Sequence, residues 1–455
     1  MVFKTRHIAS GLLMAAVALT SVTSCATRRA EPERDTQNMA YLYNPMTNPF
    51  NPLYRVINEG GERSTLSVKL FTSELFFSEA NPTGEPLASI TVNVTLVNQT
   101  HGGMISDRAE SEVTINRNDG HREYTINVPL TTYDSVEYIA DIRVTDNNVR
   151  RRVQKFIRFD RVTELSPFNF WLTSVSGRFE PYIPVAMSDD SFLLHYNGPQ
   201  EDTIYMHRYG YFDHAPYAPF VMLPERRVAR EPEEVTAHRW ANDNPLTFPE
   251  RGIYLLTTDS TGNRGFTVFN FGDDYPNTST PETLIETLAY LATGEEMRSM
   301  REHENPKIAI DEFWIARSDN IERSRELLRI YYNRVIYANL YFTSFKEGWR
   351  SDRGMIYIIY GPPDKLYKSA RGEEWGYSRS TVRSRWGGRY DVEEGYLWFN
   401  FRHTASRFTT NHYMLSRTDA TPTFWNRAIQ SWRNGIVFRV DNPENILQVE
   451  RGASN

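Results

Sequence analysis

Cysteine is almost missing from this chain: among 455 residues there is one, Cys25. A lone thiol excludes a disulfide within the chain and any cysteine-based zinc site. A dominant charge sign is missing too. Lys and Arg number 51 against 57 Asp and Glu, for a net charge of −6, so there is no global electrostatic reason to bind nucleic acid. No Gly-x-Ser-x-Gly elbow, no His-Glu-x-x-His, no phosphate loop and no dinucleotide glycine fingerprint occurs. His303-Glu304 is followed at once by Asn305-Pro306, which ends a helix instead of building a metal site. No catalytic residue, cofactor or metal ligand set is therefore expected. Hydrophobic residues make up 40% and aromatics 13%, enough to bury sizeable cores. The length suits roughly three domains.

The first 24 residues read as a secretory signal. Lys4, Arg6 and His7 give a basic start, and Ile8 to Val22 is an apolar run shorter than the roughly 20 residues a membrane-spanning helix needs. The run ends in Val22-Thr23-Ser24-Cys25, which resembles a bacterial lipobox. That resemblance implies cleavage before Cys25 and acylation of its new N-terminus, anchoring the chain to a membrane; more than one acyl chain gives stable anchoring. Residues 25–60, with Asn-Pro pairs at 44–45, 48–49 and 51–52, then read as an extended tether. Tyr41, Tyr43, Phe50 and Tyr54 are the tether residues suited to docking on a neighbouring domain. Ala26-Thr27-Arg28-Arg29 stands where an early acidic run would resemble a surface-export signal. The expectation is the periplasmic leaflet of an outer membrane.

From Thr65 the apolar period becomes two. Leu66, Val68 and Leu70 alternate with polar residues, as do Ile90, Val92, Val94 and Leu96. Asp119-Gly120 predicts a hairpin joining Val113–Ile115 to Tyr124–Val128, because such turns need positive φ. With Tyr138–Val144 and Val153–Phe159, residues 61–165 predict an antiparallel β-sandwich. Arg150-Arg151-Arg152 reads as a solvated turn. Residues 166–275 predict a second β domain, with strands at Phe192–Tyr196 and Ile204–Phe212. A hairpin across Asp259–Asn263 joins Ile253–Thr258 to Gly265–Phe271. His207, Asp213 and His214 match no metal-ligand spacing and read as surface or packing residues.

After residue 276 the period becomes helical. Thr280 is an N-cap candidate with Pro281 at the first helical position, and Leu284, Ile285, Leu288 and Leu291 form one face before Gly294. A short helix is predicted at Ile308–Trp314, a long one over Asn320–Phe342, and an amphipathic piece at Phe424–Trp432. Strands are predicted at Tyr396–Phe401 and Ile436–Val440. The fold class expected is multidomain, with two antiparallel, sandwich-like β domains followed by an α+β C-terminal domain over 276–455.

One stretch organises that last domain. Gly348-Trp349-Arg350-Ser351-Asp352-Arg353-Gly354 precedes Met355–Tyr360 and Gly361-Pro362-Pro363-Asp364. It reads as a polar turn, a buried strand and a rigid turn. The segment resembles the signature of the GWxTD-domain proteins, mostly envelope lipoproteins of Bacteroidota. Asp311–Trp314 and Arg334–Asn339 are similar to that family's helical lead-in, and Ser351 replaces its threonine. The signature residues are expected to be architectural. Trp349 fills a core corner, Gly348 and Gly354 permit tight turns, Asp352 accepts backbone N–H groups or pairs with Arg353, and Asp364 caps the turn held by Pro362 and Pro363. The alternative is a glycan or peptide hydrolase or binding protein, with Trp349 and Tyr357 as platforms and Asp352 with Glu373 or Glu374 as carboxylates. A further alternative makes the β modules carbohydrate-binding units. The leading expectation is a non-enzymatic envelope lipoprotein whose partner is another envelope protein.

Overall fold

The period-two segments become the strands of two sandwich-like modules, seen in a computed structural model. Residues 38–440 are described, apart from 49, 83, 177–180, 200, 223–230, 241–243, 386–388 and 418–421 and the side chains of 379–394. The signal segment, Cys25 and the tether up to residue 37 lie outside the described residues. From Asn38 onward the chain forms one compact unit.

The first module has seven strands: β1 (Leu53–Asn58), β2 (Arg63–Phe71), β3 (Leu87–Asn98), β4 (Met104–Asn116), β5 (Glu123–Thr131), β6 (Glu137–Asp146) and β7 (Arg151–Asp160). They form two antiparallel sheets, ordered β1-β2-β5 and β4-β3-β6-β7. The alternating apolar residues face one another across the sandwich: Leu66, Val68 and Leu70 from one sheet, Ile90, Val92 and Val94 from the other, in one buried core. Asp119-Gly120 does not close a hairpin. Gly120 has the expected positive φ of 72°, but β4 pairs with β3 and β5 with β2. The loop Arg117–Arg122 crosses from one sheet to the other. It is longer than a two-residue turn, and Asn116 nucleates a helical turn there by accepting the Asn118 N–H at 2.9 Å. Arg150 occupies the turn before β7 with φ 55°, and Arg151 and Arg152 are exposed at the strand's start.

The second module contains β8 (Phe170–Ser174), β9 (Ser191–Tyr196), β10 (Thr203–Gly210), β11 (Glu234–Arg239), β12 (Leu246–Thr247), β13 (Gly252–Thr257) and β14 (Phe266–Asn270). Sheets β12-β9-β8 and β11-β10-β13-β14 enclose a core that includes Phe170, Phe192, Phe248 and Leu256. Here β13 and β14 pair as the predicted antiparallel hairpin. His207 is buried in β10 beneath Gly262. His214 is exposed, 3.2 Å from the Asp213 carboxylate. Among the described residues, no three His, Cys, Asp or Glu side chains are grouped to hold a metal.

The third module is α+β. Helices α1 (Pro281–Thr287), α2 (Gly294–Glu302), α3 (Pro306–Ile315), α4 (Ile321–Phe342), α5 (Asp352–Tyr360) and α6 (Pro422–Arg433) pack with the sheet β15 (Lys365–Ser369), β16 (Gly372–Arg385), β17 (Arg389–His403) and β18 (Tyr413–Leu415). Thr280 caps α1 as predicted, and Asn320, expected as the start of α4, is its N-cap. Gly294 starts α2 instead of ending the preceding helix, because Thr293 and Glu296 form a reciprocal capping box. Ile436–Val440 is not a strand. Gly435, at φ 76°, turns the chain back so that the Ile436 N–H meets the Ser431 carbonyl at 2.9 Å. Phe438 packs edge-on to Tyr360 instead of pairing with a strand.

Two parts of the expected tether belong to the fold. Leu53–Asn58 is β1. Ahead of it, Asn38 bonds the Asp364 carbonyl and accepts the Leu366 N–H at 3.0 Å, while the Met39 N–H reaches the Leu366 carbonyl at 2.8 Å. Tyr43 is buried against Phe342 and Trp375. Few periodic apolar positions occur here because aromatic residues do the docking. Tyr43→Ala is expected to cost about 3–5 kcal/mol in a denaturant titration, as for other large buried rings. Tyr43→Phe, which removes only the hydroxyl, is expected to cost about 1–2 kcal/mol.

Candidate functional site

The Gly-Trp-Arg-Ser-Asp stretch sits where α4, α5 and the β15–β18 sheet meet. It is not followed by a strand. Met355–Tyr360 lies in the buried helix α5, and every residue from Arg353 to Tyr360 is buried. An apolar run that is covered on all sides has no period to distinguish helix from strand. The local signals are the caps. Ser351 is the N-cap: its Oγ accepts the Gly354 N–H at 2.9 Å and donates to the Gly348 carbonyl at 2.6 Å. Asp352 then sits in the first turn, where a carboxylate complements the helix dipole. At the other end Gly361 takes φ 86°. Arg334 donates to the Ile358 and Ile359 carbonyls at 2.9 and 3.2 Å, and the Trp432 indole N–H reaches Ile359 at 3.0 Å. These donors satisfy carbonyls that the helix itself leaves open.

The turn is pressed backbone to backbone against α4. A Cβ at position 348 would land on the Ala338 carbonyl oxygen, and one at 354 on the Gly348 carbonyl. Asn339 holds this contact from α4. Its Oδ1 accepts the Trp349 N–H at 3.0 Å, and its Nδ2 donates to the Pro276 carbonyl at 2.9 Å. Trp349 is 2% exposed, and its carbonyl accepts the Tyr290 hydroxyl. Arg334 and Asn339, the outer residues of the Arg334–Asn339 segment, thus clamp the signature from outside it.

Each charged side chain of the turn has its partners. Arg350, which the sequence reading passed over, is buried on the Trp349 ring, 4.1 Å from its centroid. It is paired with Glu347 and, at 2.6 Å, with Glu286, and it bonds the Asp213 carbonyl and the Tyr211 hydroxyl. Burial raises the Glu347 pKa above the ordinary range, opposed by Arg350 and the Tyr211 hydroxyl. Asp352 does not pair with Arg353. It accepts the Leu415 N–H at 2.9 Å and the Arg417 guanidinium at 2.7 Å, tying α5 to β18 and the chain beyond it. Arg353 instead meets Glu373 at 3.1 Å and Asn411 at 2.7 Å, over the Tyr413 ring.

Glu373 is the meeting point of four donors. Lys368 approaches at 2.6 Å, the Tyr43 hydroxyl at 2.8 Å, the Trp375 indole N–H at 3.0 Å and Arg353 at 3.1 Å. Burial alone would raise its pKa; Lys368 and Arg353 overcome that and hold it at about 2. Asp364 accepts the Ser378 N–H at 2.7 Å after the Pro362-Pro363 turn, which leads α5 into β15. Trp349 and Tyr357 are buried and offer no stacking platform. A sequence signal for Arg350 did exist, in the Glu347-x-x-Arg350 spacing. Its partners Tyr211 and Glu286 come from distant segments that only the fold brings together.

These features define a class: β modules preceding an α+β module nucleated on a capped, glycine-packed turn. Residues 252–434 match the family model of the GWxTD domain, and that span is similar to the GWxTD-domain proteins. The match begins at β13, inside the second β module. No curated protein matches the chain. Among solved structures, Bacteroides uniformis β-glucuronidase 2 covalently bound to cyclophellitol-6-carboxylate aziridine is similar over 33% of this chain, at 12% identity and a TM-score of 0.17. A second Bacteroides uniformis β-glucuronidase structure aligns over 34%, at 11% identity and a TM-score of 0.17. The chain spans 16% of the length of each, and likenesses of this size carry no argument about activity.

Ser351→Ala is expected to lower stability by about 1 kcal/mol, with Ser351→Thr close to neutral because the capping hydroxyl is kept. Gly348→Ala is expected to cost about 3 kcal/mol or more, since backbone and not a movable side chain receives the methyl. Urea titrations of the three variants check the order. Glu373 makes a separate prediction. Its folded pKa lies below its unfolded value, so its stabilisation is present above about pH 4.5 and is lost as pH falls towards about 2. The melting temperature of the native chain should fall through that window. Glu373→Gln should flatten the fall while lowering stability at neutral pH by about 3–5 kcal/mol.

Proposed function

We propose that the chain is a lipid-anchored protein of the outer membrane, facing the periplasm, that works without catalysis as an interaction or assembly component of the cell envelope. One observation carries the non-catalytic part. The charged groups of the signature, Arg350, Asp352 and Arg353, are all engaged by partners within the chain. A hydrolase using Asp352 and Glu373 would need two accessible carboxyls at a defined separation. The Glu373 side chain has no exposed surface and is paired with Lys368 and Arg353. Turn and helix serve packing, and the work of the molecule falls to its surfaces. The lipobox-like Val22–Cys25 supports the anchor.

Affinity capture of the tagged chain from intact cells after cross-linking tests this reading. A stoichiometric envelope protein is the expected result, and a preparation without one overturns it. Cys25→Ser is expected to move the chain from the membrane to the soluble fraction. Continued membrane retention would remove the anchor from the proposal.

A further inference from the structure

Arg150-Arg151-Arg152, a solvated turn by its sequence alone, has a particular setting in the fold. Arg150 takes φ 55° in the turn that joins β6 to β7, a left-handed position that arginine rarely fills. Arg151 and Arg152 begin β7. All three are exposed, and none makes a hydrogen bond or ion pair among the described residues. Val153 is buried in the sandwich core, so alternation puts Arg152 on the outer face of its sheet, diagonal to Arg143 across the β6–β7 pair. Over residues 141–155 the carboxylates are Asp141 and Asp146. Asp141 is paired with Arg143 at 2.7 Å. Asp146 is buried and accepts the Phe76 and Asn148 N–H groups at 3.2 and 3.0 Å. The exposed acids of the same face, Glu110 and Glu112, lie on β4 at the opposite edge of β4-β3-β6-β7, about 14 Å away at ordinary strand spacing. The sheet therefore carries its positive charge along one edge.

Two neighbours of the turn point to what it meets. Phe76 is 51% exposed, and its carbonyl accepts the Asn148 side-chain amide at 3.1 Å, so a bare aromatic ring adjoins the arginines. The other neighbour is Tyr41, whose hydroxyl donates to Gln154, just beyond Arg152 on β7. Burial raises the Tyr41 pKa, and Arg152 and Arg143 oppose the rise. Asn38 stands three residues before Tyr41, at most about 11 Å along the chain. From Cys25 to Asn38 an extended chain spans at most about 45 Å. The segment that leads from the expected anchor thus joins the body beside the arginines.

We propose that Phe76 and the arginines of the β6–β7 turn form a membrane-contact surface that binds the phosphate headgroups of an anionic phospholipid layer. Exposed guanidinium groups without partners suit phosphate oxygens, which they grip in pairs of hydrogen bonds. An aromatic ring among them suits the boundary between headgroups and acyl chains. One ring and three guanidinium groups fall well short of the roughly 800 Å² per partner that a stable protein interface buries. The acidic β4 edge is turned away in the same pose, so the charge distribution orients the body as well as attracting it. The inference rests on the proposed lipid anchor for its setting: the anchor holds the chain, and the arginines fix which side of the body faces the membrane. Three arginines multiply membrane partitioning by only about a hundredfold. That is too little to retain the chain without acyl groups, in keeping with the release expected for Cys25→Ser.

The chain from residue 25, made without the signal segment and therefore without acyl groups, contains the whole compact unit that starts at Asn38. It is sedimented with vesicles of phosphatidylcholine alone and with vesicles containing about one-third phosphatidylglycerol. Binding is expected only to the anionic vesicles, and should weaken by about tenfold or more between roughly 50 and 500 mM salt. Arg150→Glu, Arg151→Glu and Arg152→Glu combined should lower it by about a hundredfold. Arg→Lys at the same three positions keeps the charge and should hold binding within about threefold of the native chain. Phe76→Ser should weaken binding by about three- to tenfold and leave its salt dependence unchanged. The altered side chains are exposed, so every variant should keep the native melting temperature. The inference is overturned by equal binding to neutral vesicles, by binding to neither kind, or by a glutamate variant that binds as before. Release by inorganic phosphate at matched ionic strength would assign a free-anion site and overturn it too. So would the capture from cells of an acidic protein that the glutamate variant loses, with no binding to vesicles. If Cys25→Ser releases the chain in cells while the unacylated chain ignores vesicles, the anchor stands and this surface falls. If anionic vesicles bind as expected and Cys25→Ser leaves the cellular fractionation unchanged, the surface stands and the anchor falls.

Discussion

A single buried carboxylate connects most of the third module. Glu373 receives Arg353 from α5, Lys368 from β15, the indole of its own strand neighbour Trp375, and the hydroxyl of Tyr43 from the N-terminal segment. A buried charge is tolerable only when it is surrounded by donors, and each donor here fixes the position of the element that carries it. The helix cannot rotate without withdrawing Arg353, and the 38–43 segment cannot leave without uncovering the carboxylate. The energetic cost of burying the charge is offset by placing four parts of the chain in one geometry.

The signature turn acts by a different constraint, closeness. Two glycines allow backbone to touch backbone, and a serine hydroxyl closes the gap by bonding both ways. Trp349 fills the corner, and Arg350 lies across its face. Replacing the family's threonine by Ser351 keeps the capping oxygen and loses only a methyl group. This explains why hydroxyl chemistry, and not β-branching, is what the position requires.

Much of the fold was legible from periodicity and caps. The alternation in Leu66–Leu70 and Ile90–Leu96, the β13–β14 hairpin, the cap Thr280 and the start of α4 at Asn320 are local facts that the fold did not override. The misreadings have one common cause. Met355–Tyr360 looked like a strand because β-branched and aromatic residues suit either state once fully buried, and the decision rested on Ser351. Asp119-Gly120 specified a turn but not which sheet each arm would join. Ile436–Val440 had the composition of a strand and no partner to pair with. Of the site, the signature was legible, while Tyr211 and Glu286 around Arg350 were not, since both lie far away in sequence.

The docking of Asn38–Tyr43 on β15 and β16 has a consequence for biosynthesis. Asn38 and its partner Leu366 are separated by 328 positions, and a chain emerging from the ribosome presents its first domains long before its last. The sandwich and the second β module can close on their own cores as they appear. The stretch ahead of them has to stay undocked until β15 and β16 have been made, because they form the surface that receives it. The third module is thus completed by residues made some three hundred positions earlier, and a nascent chain stalled before β16 would carry its aromatic lead segment uncovered.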